Sequence, residues 1–136
     1  MDYSSTPVGG RCYAMKNTAA SLANKENIER WKAVIELEKF GQPAADYLIP
    51  ALKDDDRWVR YLAADALANI GAAQSVAPLI ALLKDPDQDV RFAAASALGK
   101  LGDPKALPGL ESVLKTDNAY VRIAAEEAIE RISPAR

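Results

Sequence analysis

Four arginines, Arg30, Arg60, Arg91 and Arg122, recur at intervals of 30, 31 and 31 residues. A column of guanidinium groups at one repeat position can clamp phosphate through paired N–H donors. A second set of chemically able groups is acidic: Asp54, Asp55 and Asp56, with Asp87 and Asp89 one interval later. Such carboxylates could gather a cation, but the segment lacks the glycine and closing glutamate of a calcium loop. Helix capping is the better account of them. The third candidate is Cys12, a lone thiol with no base to activate it. The chain has no histidine, which removes the commonest general base, the commonest metal ligand and every Ser-His or Cys-His pair. An enzyme built from this sequence would have to use carboxylates, lysine, tyrosine or Cys12. The expectation is a non-enzymatic protein without a cofactor.

Charge and hydropathy narrow the classes further. The net charge is −2 and the isoelectric point about 5.2, which is not the basic footprint that displaces counterions from nucleic acid. The strongly apolar run VAPLIALL, residues 76–83, falls well short of the ~18 residues needed to cross a bilayer. The opening MDYSSTPVGG has no basic-then-apolar secretory pattern, and one cysteine suits a reducing compartment. The expected setting is therefore the cytoplasm, with a protein partner and neither nucleic acid nor membrane.

The arginine spacing belongs to a repeat of the whole chain. Leu22, Leu52, Leu83 and Leu114 keep the same interval, as do Gly41, Gly71, Gly102 and Ser133. The stretches LKDDDRWVRYLAADALANIG, LKDPDQDVRFAAASALGKLG and LKTDNAYVRIAAEEAIERIS align throughout, with IERWKAVIELEKFG as a degenerate earlier copy. Each unit reads as two antiparallel helices. The first is short, as in 76–84. The second starts after an N-cap at Asp56, Asp87 or Asn118 and stops at a glycine able to adopt the left-handed cap. Pro43, Pro104 and Pro134 punctuate the exits. Val59, Ala63, Ala66, Leu67 and Ile70 make a helical apolar stripe, repeated as Val90, Ala94, Ala97, Leu98, Leu101 and as Val121, Ala125, Ala128, Ile129, Ile132. A single hairpin of this kind cannot bury both faces, so the units must stack. The expected division is a flexible lead-in over 1–16 and one domain over 17–136, in units of about 17–41, 42–71, 72–102 and 103–136. Polar substitutions in the outer units, Glu29 and Glu36 in the first and Glu126 and Glu130 in the last, fit the ends of a short closed array.

KDPDQDVRFAAASALGKLGDPKALPGL resembles the HEAT-like repeat of the phycobilisome (PBS) lyase type, and residues 28–136 carry the resemblance. The repeats are also similar to the archaeal HEAT-like repeats from which artificial binders have been built. The resemblance implies an all-α, right-handed α-solenoid of about four two-helix repeats of about 31 residues. It also implies that the repeated arginine belongs to an Asp–Arg network fixing the inter-helix turns, with Asp54, Asp85 and Asp117 nearby, rather than to a phosphate strip. The family covers bilin-attachment factors and assembly scaffolds, so a tetrapyrrole lyase or pigment-chaperone component is an alternative role, and a self-assembling module another.

Placed at 100° per residue, Trp58, Tyr61, Leu62, Asp65 and Asn69 share a face away from the core stripe. Read down the stack, these positions give the columns Ile28–Trp58–Asp89–Tyr120, Trp31–Tyr61–Phe92–Ile123, Ile35–Asp65–Ser96–Glu127 and Lys39–Asn69–Lys100–Arg131. The second helices of such a solenoid line its concave side. The rings either pack between successive helices or form a binding ribbon, and aromatics on a preformed surface are the residues that carry interface energy. The artificial binders vary their target-contacting residues at these positions, which the resemblance extends to this chain. The expected partner-binding set is Trp31, Trp58, Tyr61, Asp65, Phe92, Lys100, Tyr120, Ile123 and Glu127, on a monomer or weak homo-oligomer.

Overall fold

The computed structural model describes residues 8–134, and within them every regular element is helical. Eight α-helices are found there: α1 (Val8–Ala20), α2 (Asn27–Glu38), α3 (Ala45–Leu48), α4 (Arg57–Ile70), α5 (Val76–Leu82), α6 (Gln88–Leu101), α7 (Leu107–Thr116) and α8 (Ala119–Ile132). Short 3₁₀ turns join them. Helices α2, α4, α6 and α8 pack in succession, while α3, α5 and α7 each lie against the helix that follows. The result is an α-solenoid. No helix among the described residues is long and apolar enough to cross a membrane.

The local signals act where the repeat places them. Asp56 accepts a hydrogen bond from the Val59 N–H at 3.1 Å, Asp87 from Asp89 and Val90 at 2.8 and 3.1 Å, and Asn118 from Val121 at 3.0 Å. Each satisfies donors that the first helical turn leaves free. Gly71 and Gly102 close α4 and α6 with φ of 80° and 73°, a conformation that strains any side chain with a Cβ. The first helix of the second unit is cut to four residues because Pro50 lacks an N–H, and the chain continues as a 3₁₀ turn.

Leu48, Leu79 and Leu110 from the outer helices and Leu37, Leu67 and Leu98 from the inner ones are fully buried. Each contributes about 1.5–3 kcal/mol relative to exposure. Alanine dominates the inner layer, with Ala63, Ala64, Ala94, Ala95 and Ala125 all at 0% exposure. At Gly99 the approach is closest, since a Cβ there would stand 2.8 Å from the Ala128 Cα. The outer helices stand further apart, leaving a groove of about 790 Å³ between Ile49–Leu52 and Pro78–Leu82. Small residues inside and a gap outside bend the stack toward its second helices.

Of the lead-in expected over residues 1–16, residues 8–16 lie within helix α1. Met15 is buried and Ala19 and Leu22 pack on the same core. Their spacing of four and three residues is a helical stripe, hidden in the sequence by the two glycines before it. A 3₁₀ turn at Ser21–Ala23 follows α1. Residues 1–7 lie outside the described residues.

The arginine column is a chain of inter-unit staples. Arg60 donates through Nη1 to the Asp54 and Asp55 carbonyls of its own loop at 2.7 and 3.2 Å. Its Nε and Nη2 grip both oxygens of Asp85, in the next loop, at 2.8 and 3.1 Å. Arg30 does the same with Asn24, Lys25 and Asp54, and Arg91 with Asp85, Pro86 and Asp117. The Asp–Arg network implied by the family resemblance is present. Burial alone would raise the Asp54 and Asp117 pKa values, but hydrogen bonds from backbone N–H groups and from Arg30 and Arg91 outweigh it and hold both below the ordinary carboxylate range. At Asp87, burial is likewise outweighed by Arg57 and the capping N–H groups.

Two outcomes follow. Arg60→Ala leaves Asp85 nearly buried without its cation and costs about 3 kcal/mol in urea unfolding, whereas Arg57→Ala, which breaks the half-exposed pair with Asp87, costs under about 1 kcal/mol. Carboxylates with depressed native pKa values stabilise the fold above their unfolded pKa and lose that contribution as pH falls through the native value. Stability is therefore flat above about pH 5 and declines below about pH 4, and Asp117→Asn lowers the plateau while flattening the acid limb.

Candidate protein-binding face

The exposed face of α2, α4, α6 and α8 carries the columns expected from the sequence. Trp58 and Tyr61 sit one helical turn apart on α4 and meet edge to face, with ring centroids 5.6 Å apart and planes at 69°. The Arg57 guanidinium lies 5.1 Å from the Trp58 ring centre and donates to Asp87 at 3.1 Å, so the ring is held under a fixed cation. Phe92 and Tyr120 stack between α6 and α8 at 4.7 Å and 16°. The Tyr120 hydroxyl donates to Asp89 at 2.8 Å. That hydrogen bond, and then burial, raises the Tyr120 pKa above the ordinary phenol value.

The rings are thus partly packed and partly open. Trp58, Tyr61 and Phe92 are half-buried, whereas Tyr120 and Ile123 are 41% and 54% exposed. Trp31 is tied into the fold, its indole N–H donating to Asp56, the cap of the next unit's helix. Asp65 and Lys100 meet across α4 and α6 at 3.7 Å with Asn69 between them. Glu127 is exposed at the far end.

Two residues absent from the expected set stand out. Ile28 and Ile35, on α2, are each 49% exposed and occupy the Trp58 and Asp65 columns. With Tyr120 and Ile123 they are four of the five large hydrophobic residues exposed among the described residues, the fifth being Tyr13 on α1. Apolar exposure is therefore concentrated on this one face rather than scattered. The column alignment held the signal for Ile28 and Ile35. The face is open: the 790 Å³ groove belongs to the outer layer and includes none of these residues.

Stacked helical hairpins, stapled through their loops and presenting one continuous inner surface, define an α-solenoid repeat protein. The description HEAT repeats matches residues 45–130, and the chain belongs to that family. Among solved structures, it is similar to the complex of CpcE and CpcF of phycocyanin lyase from Nostoc sp. PCC7120, at 31% identity and a TM-score of 0.77 over 87% of this chain and 53% of that one. Human deoxyhypusine hydroxylase in complex with glycerol shares the fold at 23% identity and a TM-score of 0.79, over 89% of this chain and 44% of that one. An engineered protein does so at 23% and 0.69, over 91% and 62%. The chain thus spans about half to three-fifths the length of these proteins. No curated protein matches it.

Spectrophotometric titration tests the geometry of this face. Tyr120→Phe removes one phenol that ionises above the usual pH of about 10, and Asp89→Asn lowers the pKa of that phenol by taking away its anionic acceptor.

Proposed function

We propose that this protein is a non-enzymatic cytoplasmic scaffold that binds a protein segment or small domain on the surface formed by α2, α4, α6 and α8. The observation that carries the reading is the gathering of Ile28, Ile35, Tyr120 and Ile123, all exposed, on the face that also holds Trp58, Tyr61 and Phe92. Rings fixed in advance by stacking and by hydrogen bonds lose little entropy when a partner arrives. Asp65, Lys100 and Glu127 lie beside them and would set orientation through charge, while Trp31, already committed to Asp56, would form the margin. An open face suits a protein surface better than a small molecule, which favours an enclosing concavity.

A second reading is favoured by one observation, the 31% identity to the phycocyanin lyase complex. In that case the chain acts within a tetrapyrrole lyase or pigment-chaperone system, and the ring ribbon faces pigment or pigment-bearing protein.

The test is capture from lysate of the source organism, followed by binding of the purified partner. Ile28→Ser and Ile123→Ser change exposed positions and keep the helices intact, and each weakens binding about tenfold or more, as interface anchors do. The Trp58→Ala/Tyr61→Ala double variant abolishes it. Equal capture by all variants sinks the ribbon as the binding face, and a visible absorbance band in the purified complex favours the pigment reading.

A further inference from the structure

The outer-layer groove of about 790 Å³ follows from a departure within the repeat itself. Between α5 and α7 the outer helices come close, because Gly109 has no side chain. A Cβ there would stand 3.1 Å from the Leu83 Cδ1 and 3.5 Å from the Ile80 Cγ2. One interval earlier the same position is Pro78, whose ring lines the groove. The facing wall is short as well, since α3 stops at Leu48 and Pro50 turns the chain into a 3₁₀ segment. Ile49, Leu52, Pro78 and Leu82 give the groove its apolar surface. Ile49 and Pro78 are half-buried, and Leu52 and Leu82 are buried.

Charge is unbalanced at the end of the groove formed by the inter-helix loops. Asp54 and Asp85 line it, but both oxygens of each are held, by Arg30 and by Arg60. Arg60 is in turn committed to Asp85 and to two loop carbonyls. Lys53 and Lys84 remain. They lie on opposite walls at one repeat position, both exposed, and neither has a partner among the described residues. Carboxylates arriving at that end would gain two charge-assisted contacts.

The lining also selects against a small molecule. Pro50, Pro78 and Pro86 have no N–H to offer, and a small ligand needs several fixed polar groups to orient it. A peptide anchored by an apolar side chain and steered by charge does not. Residues 1–7 of this chain hold one carboxylate, Asp2, too few to meet both lysines.

We infer that this groove docks an acidic segment of a partner protein, in which one or two bulky apolar residues adjoin at least two aspartates or glutamates. The apolar residues lie against Ile49, Leu52, Pro78 and Leu82, and the carboxylates meet Lys53 and Lys84. The site is in the outer layer and acts independently of the ring ribbon on the inner one.

The test pans a displayed library of random dodecapeptides against the full chain, then measures binding of the consensus peptide by fluorescence anisotropy. The expected consensus joins a bulky apolar residue to two or more carboxylates. Lys53→Glu/Lys84→Glu weakens its binding at least tenfold, and Ala81→Trp, which fills the groove from an exposed position, does the same. Ile28→Ser, on the inner face, changes it less than twofold. A peptide with lysine in place of each carboxylate restores binding to the Lys53→Glu/Lys84→Glu variant, which an unfolded protein could not show. Absence of an enriched consensus, a consensus without paired carboxylates, or binding indifferent to the lysine and Ala81 substitutions overturns the proposal.

Discussion

The arrangement rests on one arginine per unit. Its guanidinium ties down two carbonyls of its own loop and both oxygens of the next loop's carboxylate, so a single planar group fixes the turn within a hairpin and the register between hairpins. Neither lysine nor a pair of apolar residues could do both. Because the aspartate also accepts the N–H two residues on, the loop geometry that starts each inner helix is coupled to the neighbour that holds it. Local capping and long-range stacking become one event, which is how a one-dimensional array acquires cooperativity.

Tolerance of that staple is visible in the last loop. The aspartate of the fourth unit comes one residue late, with Thr116 at the usual position and Asp117 after it. Helix α7 runs to Thr116, and Asp117 still receives Arg91 at 2.7 and 3.1 Å while accepting from the adjacent Asn118 N–H at 2.8 Å. The carboxylate's place in space is kept and its place in sequence is not. The inner layer has no such latitude. With Gly99 against Ala128, helix separation is set by backbone contact, and added volume there can only push the units apart.

Legibility of the sequence tracked how strongly each feature repeats. The caps at Asp56, Asp87 and Asn118, the closing glycines and the inner stripe recur in register, and the structure places them where the repeat does. The α1 helix was missed because it occurs once: Met15, Ala19 and Leu22 form a short stripe that no second copy reinforces. The ribbon was half legible. Its columns followed from helical geometry, but side-chain exposure depends on neighbours the alignment does not contain. Trp31 and Tyr120 are both rings in those columns, yet one is committed to the Asp56 cap and the other stands 41% exposed. Ile28 and Ile35 were in the columns and overlooked, since an isoleucine on an amphipathic helix reads as core until the structure leaves it uncovered.

The distribution of exposed apolar residues carries the functional argument further. In the middle units, ring meets ring or cation: Trp58 with Tyr61 and Arg57, and Phe92 with Tyr120. At the outer units, Ile28, Ile35 and Ile123 lie open. Polar residues at these exposed positions would meet water at less cost. The outer units do carry such residues on other faces, as Glu36 and Glu126 show. Polar and apolar substitutions are thus sorted by face within the same helices, α2 and α8. On the binding proposed above, a ligand spanning the inner face from α2 to α8 would touch these isoleucines and the central rings together.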